Sequence, residues 1–315
     1  MGVRWFRFRG GADSDAMLDV CERVRQTAPI DVTYVWFDPG LEYRATREHL
    51  RYLEERYGIE IMRMRAKKTV AVCCREYGVP FMSKAVSEFM LRLQRHGFRW
   101  EVEPFDVLLE RYPGCSSALR WWCDENGNGS RFGISRNRLL KEFIVEHPPT
   151  FAISNRCCKY AKKDVARAAL NGIHADLNMV GVRKSEGGNR AVTNTCVTRQ
   201  GEVDTYRPMY WWDDHVRREY KRLFDIRNSD CYERYGLHRT GCVGCPFARN
   251  HVAELGVMAM HEPNLCKAAL KVFGRAYDYT LAYRDFVRSN DNSDQLSIFD
   301  IWGEGSEEGT NLRAL

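Results

Sequence analysis

The sequence predicts an α/β protein built on a doubly wound parallel sheet, with a helical, cysteine-bearing part towards its C-terminal side. Short apolar runs alternate with amphipathic helical patterns through the first 95 residues. Strands that alternate with helices form right-handed βαβ units, which assemble into a parallel sheet. The length of 315 residues, 44% of them hydrophobic, is enough for one large domain or two smaller ones.

The first elements follow from periodicity and composition. Residues 3–8 (VRWFRF) and 32–37 (VTYVWF) are rich in β-branched and aromatic residues, which favour strands. Between them, Met17, Cys21 and Val24 recur at helical spacing and predict an amphipathic helix. A second helix is predicted over 43–57, ending at Gly58, and a third strand over 59–64.

The remaining elements are predicted as helices over 69–77, 83–95, 135–146 and 161–171, and buried strands over 151–154 and 178–182. Gly78-Val79-Pro80 separates the first two helices. No element is assigned to residues 100–130, and the chain from residue 205 is expected to be helical. No internal repeat is visible.

Composition excludes several classes of protein. No apolar stretch approaches the roughly 20 residues of a membrane helix, and the N-terminus lacks the apolar core of a signal peptide. Twelve cysteines therefore indicate a metal site or a reactive thiol in a reducing cytoplasm rather than disulfides. Residues 291–315 carry a net charge of −5, so the remainder carries +11, which favours a polyanionic ligand over a merely mixed surface.

The first candidate site is the loop Arg9-Gly10-Gly11-Ala12-Asp13-Ser14, between the first strand and the first helix. Glycines let backbone N–H groups approach an anion, and a helix N-terminus favours negative charge. The alternative is an ordinary tight turn in which Asp13 or Ser14 caps the helix. The loop is neither a Walker A loop nor the G-x-G-x-x-G loop of dinucleotide-binding folds.

The loop resembles the S-G-G-x-D-S pyrophosphate loop of the adenine-nucleotide alpha-hydrolase superfamily, through Gly10, Gly11, Asp13 and Ser14. Arg9 replaces the first serine, and it either supplies charge to the phosphates or weakens the loop. The stretch from Phe37 to Tyr43 with Thr46 is similar to the F-D-T-G-L-E-x-P-E-T block of the phosphoadenosine phosphosulfate (PAPS) reductase family. Residues 181–186 with Arg190 resemble its G-x-R-x-x-E…R segment, and residues 207–213 its R-P-x-x-x-W block.

This resemblance implies a Rossmann-like, adenine-nucleotide alpha-hydrolase fold that binds ATP, or else PAPS or adenylyl sulfate, with Mg²⁺. The implied catalytic residues are Asp13, Ser14, Asp38 and Arg183. The implied nucleotide-binding residues are Arg9, Gly10, Gly11, Asp13, Ser14, Asp38, Gly40, Glu42, Gly181, Arg183 and Arg190. Asp13 or Asp38 would be the ligand of Mg²⁺, which prefers carboxylate oxygens.

The second candidate site consists of Cys157-Cys158 and the turn Cys242-Val243-Gly244-Cys245. Four thiolates complete a tetrahedral zinc site or hold an iron–sulfur cluster, and plain buried thiols are the third interpretation. Adjacent cysteines are less usual for zinc because neighbouring side chains diverge. The C-C…C-x-x-C pattern resembles the [4Fe–4S] signature of the adenylyl-sulfate reductase branch of the family, which implies a [4Fe–4S] cluster on these cysteines, with zinc as the alternative.

Three functions stay open. In the first, an ATP pyrophosphatase adenylates an acceptor oxygen, releases pyrophosphate and transfers sulfur to a nucleic acid or a small acceptor. In the second, a PAPS or adenylyl-sulfate reductase releases sulfite with thioredoxin. That branch usually carries its nucleophile in a C-terminal E-C-G-L-H segment, whereas no cysteine follows Cys266 here, so we expect the first function. The third is a non-catalytic nucleotide- or nucleic-acid-binding subunit of a sulfur-modification complex, which Arg9 favours.

The expected organisation is a nucleotide-binding α/β domain over 1–200, a helical extension over 201–290 that completes the cysteine site, and a mobile acidic tail over 291–315. The expected partners are an adenine nucleotide, DNA or tRNA, and a sulfur donor such as a cysteine desulfurase, or thioredoxin for a reductase. No membrane partner is expected, and the sequence does not indicate an oligomeric state.

Overall fold

A computed structural model describes residues 4–8 (backbone only), 11–28, 30–127, 130, 132–187, 190–192, 194–199, 203–238, 240–248 and 250–290. In this part of the chain one six-stranded sheet has the order β3-β2-β1-β4-β6-β5. All neighbouring pairs are parallel except β5 with β6. The strands are β1 (Arg4–Phe8), β2 (Val32–Asp38), β3 (Ile61–Arg65), β4 (Leu177–Val180), β5 (Val197–Thr198) and β6 (Asp204–Tyr206).

The helices confirm most of the predicted pattern. They are α1 (Ala12–Thr27), α2 (Arg44–Tyr57), α3 (Val70–Tyr77), α4 (Lys84–Arg95), α5 (Phe105–Arg111), α6 (Ser116–Trp122), α7 (Leu140–Glu146), α8 (Arg156–Cys158), α9 (Asp164–Ile173), α10 (Asp214–Leu223), α11 (Asp230–Glu233), α12 (His251–His261) and α13 (Pro263–Ser289). A π-helical turn, Lys159–Lys163, joins α8 to α9. The C-cap of α2 is Gly58, with the left-handed backbone that ends many helices.

Both faces of β2 are covered, which is why its central residues, 34–37, are all apolar and buried. Tyr34 and Trp36 pack into a core with residues of α1 and α2. Val35 and Phe37, which alternate with them, pack on the opposite face against alanines of α9 and its C-terminal end. Helices on both faces of a mostly parallel sheet define the doubly wound architecture, so the predicted fold class is confirmed.

The chain divides into two compact units. Unit 1 comprises Met1–Tyr77, Arg156–Cys245 and His261–Val272, and it contains the sheet. Unit 2 comprises Gly78–Asn155, Pro246–Met260 and Phe273–Leu315. The described part of unit 2 is helical and has an aromatic core of its own, in which Phe81, Trp121, Trp122 and Phe143 are fully buried.

The strand predicted over 151–154 is wrong. Its backbone makes a single parallel bridge, between Ile153 and Val79 of unit 2, and is not part of the six-stranded sheet. Ile153 is apolar because it packs in the core of unit 2, not because it belongs to a strand. Gly78 allows the approach: it has φ +97°, and a Cβ there would lie 2.2 Å from the carbonyl oxygen of Ala152.

Several predicted boundaries also differ from the structure. The helix predicted from residue 135 begins at Leu140, because a 3₁₀ turn over Ile134–Arg136 ends at Asn137, and Leu139, with φ +51°, separates that turn from the helix. The unassigned stretch 100–130 contains α5 and α6.

The predicted acidic tail, 291–315, lies outside the described residues. Among the helices that are described, none is both long and apolar enough to cross a membrane.

Candidate functional site

The carboxyl edge of the sheet between β1 and β4 positions the first candidate site. The chain leaves β1 through α1 towards β2, whereas β4 lies on the other side of β1. Ligands of doubly wound sheets bind at such a switch point, outside the carboxyl ends of the strands. Gly181 follows β4, and a Cβ there would lie 3.4 Å from the carbonyl oxygen of Asp13. Because Gly181 has no side chain, the segment after β4 can approach the first turn of α1 closely.

The glycine loop ends in a helix N-terminus. Gly11 is the N-cap of α1, and its carbonyl oxygen accepts hydrogen bonds from the N–H groups of Ser14 and Asp15. The expectation that Asp13 or Ser14 caps the helix is wrong, because the chain is already helical from Ala12. An acidic side chain in the first turn, such as Asp13, interacts favourably with the helix dipole. Arg9 and Gly10 lie outside the described residues.

Asp13 and Arg183, both predicted from motifs, are brought together by the fold. The Nε of Arg183 donates to Oδ1 of Asp13 at 2.9 Å, and Nη1 of Arg217 donates to the same oxygen at 2.9 Å. Asp214 bridges the two guanidinium groups from the other side, at 3.0 and 3.1 Å. Arg183 is only 4% exposed. The result is a four-membered network of alternating charge at the start of α1.

The sequence did not indicate two members of this network, Asp214 and Arg217. Their i, i+3 spacing on α10 favours a helical ion pair. That signal says nothing about a partner on α1, more than 200 residues earlier in the chain.

The loop after β2 holds the next predicted residues. Asp38 accepts a hydrogen bond from the N–H of Gly40 at 2.7 Å, which folds its carboxylate over the turn. Gly40 has φ +84°, and a Cβ there would lie 2.6 Å from the side chain of Thr69. Only glycine therefore fits both the backbone conformation and the space.

Glu42 is buried under this loop. Burial raises the pKa of Glu42 to about 7, although Lys162 and the hydrogen bond from the N–H of Tyr43 act in the opposite direction. Its Oε1 accepts from that N–H at 3.2 Å and lies 3.5 Å from the hydroxyl of Thr46. Its charge therefore changes close to neutral pH.

Arg190 lies on the segment that follows β4. Its guanidinium forms an ion pair with Glu186, whose other oxygen accepts the N–H of Arg183 at 3.2 Å. Lys184, in the same segment, lies 5.0 Å above the ring of Trp211. The segment thus presents several cations beside the network of Asp13.

The four predicted cysteines all belong to unit 1. The side chain of Cys157 is hydrogen-bonded to Cys158, which lowers the pKa of its thiol, and to Cys74. The hydrogen bond with Cys74 and burial both raise the pKa of the Cys157 thiol. Together they outweigh the lowering by Cys158, so the pKa of Cys157 is raised overall. No motif marks Cys74, so the sequence does not predict this contact. Its helix α3 packs on α8, which carries Cys157.

The second pair lies on a tight turn. The N–H of Cys245 donates to the carbonyl oxygen of Cys242 at 3.2 Å, and Gly244 has the positive φ of +59° that the turn requires. Burial raises the pKa of the Cys242 thiol, while the Lys162 ammonium, hydrogen-bonded to it, lowers that pKa. Lys162 therefore places positive charge where thiolate charge would develop.

Within the described residues, no three His, Cys, Asp or Glu side chains are arranged to hold a single metal ion. A [4Fe–4S] cluster binds each of its thiolates through a different iron atom, so its ligands do not converge on one point. The donor set of four cysteines, with the half-buried Lys162 adjacent to Cys242, fits the chemistry of such a cluster.

The remaining cysteines have the character of packed thiols or carry no motif. Burial raises the pKa of Cys21 to about 12 and that of Cys231 to about 11, which disfavours the reactive thiolate. Those that are buried are Cys21, Cys73, Cys74, Cys115, Cys231 and Cys266, whereas Cys123 and Cys196 are half-buried.

A cleft of about 290 Å³ opens at the first residue of α1, and no sequence motif indicates it. It is lined by Ala12, Arg217, Arg218, Lys221, Asn228, Tyr232 and His238. Lys221 is buried and lies 3.3 Å from Oδ2 of Asp15, whose other oxygen lies 3.1 Å from His49. The sequence signal for this cleft is the cluster of basic residues on α10. Such a cluster is more often simply the solvent-exposed face of a helix.

Comparison with known proteins supports the resemblance. Residues 134–248 match the family model described as the phosphoadenosine phosphosulfate reductase domain, which confirms the predicted resemblance over that segment. The matched segment includes Arg183 and the four cysteines of the second site. A search of curated proteins finds no match.

Two solved structures are similar to the chain at 11% sequence identity. One is a phosphoadenylyl-sulfate (PAPS) reductase from Candida auris in a phosphate complex, with a TM-score of 0.41 over 77% of this chain and 81% of that one. The other is the U34-tRNA thiolase NcsA from Methanococcus maripaludis with its [4Fe–4S] cluster, with a TM-score of 0.37 over 91% of this chain and 72% of that one. Both scores lie below 0.5, so the fold assignment rests on the sheet order itself.

Proposed function

We propose that this chain, whose residues 134–248 match the PAPS reductase domain, is an ATP pyrophosphatase that drives sulfur transfer to a nucleic acid or a small acceptor. The observation that carries the proposal is the ion pair between Asp13 and Arg183 at the switch point between β1 and β4. It joins the two motifs proposed to bind the nucleotide, which are 170 residues apart in the sequence.

The proposed reaction begins when an acceptor oxygen attacks the α-phosphorus of ATP. Pyrophosphate leaves, and a sulfur nucleophile then displaces the adenylate from the activated acceptor. The N-terminus of α1, Arg183 and Arg190 would stabilise the negative charge that develops on the phosphates. Asp38 would hold Mg²⁺, since Asp13 already shares one oxygen with two guanidinium groups.

In this proposal a [4Fe–4S] cluster is held by Cys157, Cys158, Cys242 and Cys245, and zinc is the alternative occupant. When bound, the cluster would hold the sulfur that is transferred. Lys162 would offset thiolate charge through its contact with Cys242. Residues 1–200 would then form the nucleotide-binding part, and residues 201–290 would contribute the second pair of ligands.

The partners belong to the same proposal. The net charge of +11 outside residues 291–315 favours DNA or tRNA as the acceptor. The U34-tRNA thiolase among the similar structures acts on such an acceptor. A cysteine desulfurase is the proposed source of sulfur, in the cytoplasm.

The test is pyrophosphate release from ATP by protein purified without oxygen, with iron, sulfide and zinc measured on the same sample. We expect release that requires Mg²⁺ and close to four irons per chain, as the proposed cluster demands. A sample with one zinc and no iron contradicts the cluster, and a sample with the cluster but no pyrophosphate release in the presence of tRNA or DNA contradicts the ATP reaction.

The family match favours one second candidate, a PAPS or adenylyl-sulfate reductase. A cysteine thiolate would attack the sulfonate sulfur and displace the adenosine phosphate, and reduced thioredoxin would then release sulfite from the S-sulfonated cysteine and become oxidised. Sulfite formation from PAPS with thioredoxin would establish this function. Retained nucleic-acid binding without either activity would identify a non-catalytic subunit.

A further inference from the structure

Trp211 is an exposed tryptophan between β6 and α10 of unit 1. It is 62% exposed, whereas Tyr210 before it is fully buried and Trp212 after it packs against the core on one face of the sheet. The ring of Tyr210 meets the indole in a T-shaped contact, with centroids 5.1 Å apart. The aromatic run thus presents a single indole at the surface, and tryptophan is a residue type that is concentrated at binding surfaces.

The backbone on both sides of Trp211 is held against residues 183–186. The N–H of Lys184 donates to the carbonyl oxygen of the residue before Trp211 at 2.8 Å. The hydroxyl of Ser185 donates to the carbonyl oxygen of the residue after it at 3.1 Å, and Ser185 in turn accepts a hydrogen bond from Arg183 at 2.9 Å. These contacts fix the position of the exposed indole relative to Arg183.

A cation lies over the indole. The ammonium of Lys184 is 5.0 Å from the centroid of the Trp211 ring, and it donates to Oδ1 of Asn194 at 3.2 Å. Both of these partners are neutral, so they orient the ammonium without cancelling its charge. The nearest carboxylate in the sequence, that of Glu186, pairs with Arg190. The surface therefore combines a flat apolar ring with an oriented positive charge.

This combination fits an unpaired nucleobase and the phosphate next to it. Bases of any sequence stack on aromatic side chains, and cations along the same groove bind the backbone of the strand. The net charge of +11 outside residues 291–315 favours the same polyanion. A duplex offers no free base faces within its length, so the ligand is a single-stranded segment.

We propose that Trp211 stacks on an unpaired base of the acceptor nucleic acid and that Lys184 contacts a phosphate of the same strand. The inference rests on the proposed function, because it gives the acceptor of that reaction a binding surface beside Arg183. The chemical class of the ligand is a single-stranded segment of RNA or DNA, and the adenine of ATP is the competing occupant that the experiment must separate from it.

The first experiment compares Trp211→Ala, Trp211→Phe and Leu223→Ala in the full-length, anaerobically purified protein. Leu223, at the other end of α10, is 71% exposed and controls for the loss of an exposed apolar side chain. Fluorescence anisotropy measures the affinity for labelled single-stranded RNA and DNA of about 12 nucleotides and for a duplex of the same sequence. Circular dichroism verifies that the variants are folded, and calorimetry measures their affinity for ATP.

We expect Trp211→Ala to weaken single-strand binding by about fivefold or more, because one stacked base is lost. Trp211→Phe keeps an aromatic ring, so it should weaken binding by less than about threefold. Leu223→Ala should change it by less than about twofold. The affinities for the duplex and for ATP should stay unchanged in all three variants.

The second experiment tests the charge of Lys184, with Lys141 as the matched control. Lys141 is also half-buried, and its ammonium lies 5.4 Å from the ring centroid of Trp122, but that ring is buried in unit 2. Lys184→Gln should reduce the slope of log affinity against log salt concentration by about 0.7, the value for one phosphate of a single strand. Lys141→Gln, which removes the same charge, and Trp211→Ala should leave the slope unchanged.

Three results would overturn the proposed surface. The first is an unaltered protein that binds no single strands, and the second is an equal effect of Trp211→Ala and Leu223→Ala. The third is a loss of ATP affinity in Trp211→Ala with unchanged single-strand binding, which would assign the indole to the adenine of the nucleotide.

The proposed function fails separately. A protein that binds single strands through Trp211 but never releases pyrophosphate from ATP has the surface without the reaction. Release of pyrophosphate by a protein whose single-strand binding ignores Trp211 upholds the reaction and rejects the surface.

Discussion

Arg183 connects carboxylates from two distant parts of unit 1, Asp13 on α1 and Asp214 on α10. A guanidinium reaches both because its donors point in fixed, different directions, whereas an ammonium is a single point of charge. The geometry of the network therefore depends on arginine and not on positive charge alone.

We expect Arg183→Lys to lower the free energy of unfolding by about 1–3 kcal/mol, because at least one buried charge-assisted hydrogen bond is lost. Urea denaturation measures the change. Arg222→Lys on the exposed face of α10 is the control and should cost less than about 0.5 kcal/mol. Equal costs for the two variants would show that the network contributes nothing.

Glu42 makes the stability of the protein depend on pH. Burial raises its pKa from 4.5 to about 7, so in this window the folded protein keeps a proton that the unfolded chain releases. The free energy of unfolding therefore falls as the pH rises from 4.5 to about 7. Above pH 7 the charged, buried Glu42 carboxylate destabilises the folded protein by the full amount.

We expect Glu42→Gln, which cannot ionise, to be more stable than the unaltered protein by about 2–3 kcal/mol at pH ~8, with a difference that shrinks as the pH falls. Urea denaturation across the pH range measures it. Glu48→Gln, on the exposed side of α2, should show no such trend. A constant difference for Glu42→Gln at all pH values would reject the buried carboxyl as its cause.

At the scale of elements, the loop between β2 and α2 depends on a glycine for two separate reasons. Gly40 combines a left-handed backbone with a close approach to Thr69, whereas Gly58, at the end of α2, has φ +62° but open space around it. A comparison of alanine substitutions at Gly40 and Gly58 therefore distinguishes the cost of backbone strain from the cost of steric overlap.

Gly40→Ala should cost about 2–4 kcal/mol, since a Cβ adds overlap with Thr69 to the strain of a positive φ. Gly58→Ala should cost about 1 kcal/mol, from the strain alone. Thermal or urea unfolding of both variants gives the comparison. Equal costs would mean that the loop relaxes away from Thr69.

The predictable elements were those whose signal is local. Periodicity and the break at Gly78 and Pro80 gave α3 and α4 within a residue or two. Strands β5 and β6 are two and three residues long, too short for any alternation to appear. The apolar run that contains Ile153 could not be told from a strand, because burial in a helical core and burial in a sheet select the same residue types.

The same limit applies to the site. The motif positions Asp13, Arg183 and Gly181 could be read from short patterns, and the fold brings them together. Arg217 and Lys221 could not, because their partners lie on α1 and only the folded chain shows which cations of α10 face it. Cys74 was likewise indistinguishable from its neighbour Cys73 until α3 was seen to pack on α8.

At the scale of the whole molecule, the proposed cluster concerns one unit only. Its four cysteines lie on the segments 156–163 and 240–245 of unit 1. Unit 2 has a separate aromatic core, to which α4 and α6 contribute. Local stability is set by local packing, so removal of a cluster should loosen the segments that bind it and leave an independent core unchanged.

We expect removal of iron by oxidation and chelation to increase amide hydrogen exchange in 156–163 and 240–245, but not in α4 or α6. Hydrogen exchange read by mass spectrometry measures both regions in one sample. The Cys242→Ser variant, which should lack the cluster from the start, serves as the control and should show no further change on chelation. If exchange in 156–163 stays unchanged despite complete loss of iron, the iron is not bound by these cysteines. If exchange increases uniformly along the chain, the loss of iron has destabilised the whole protein.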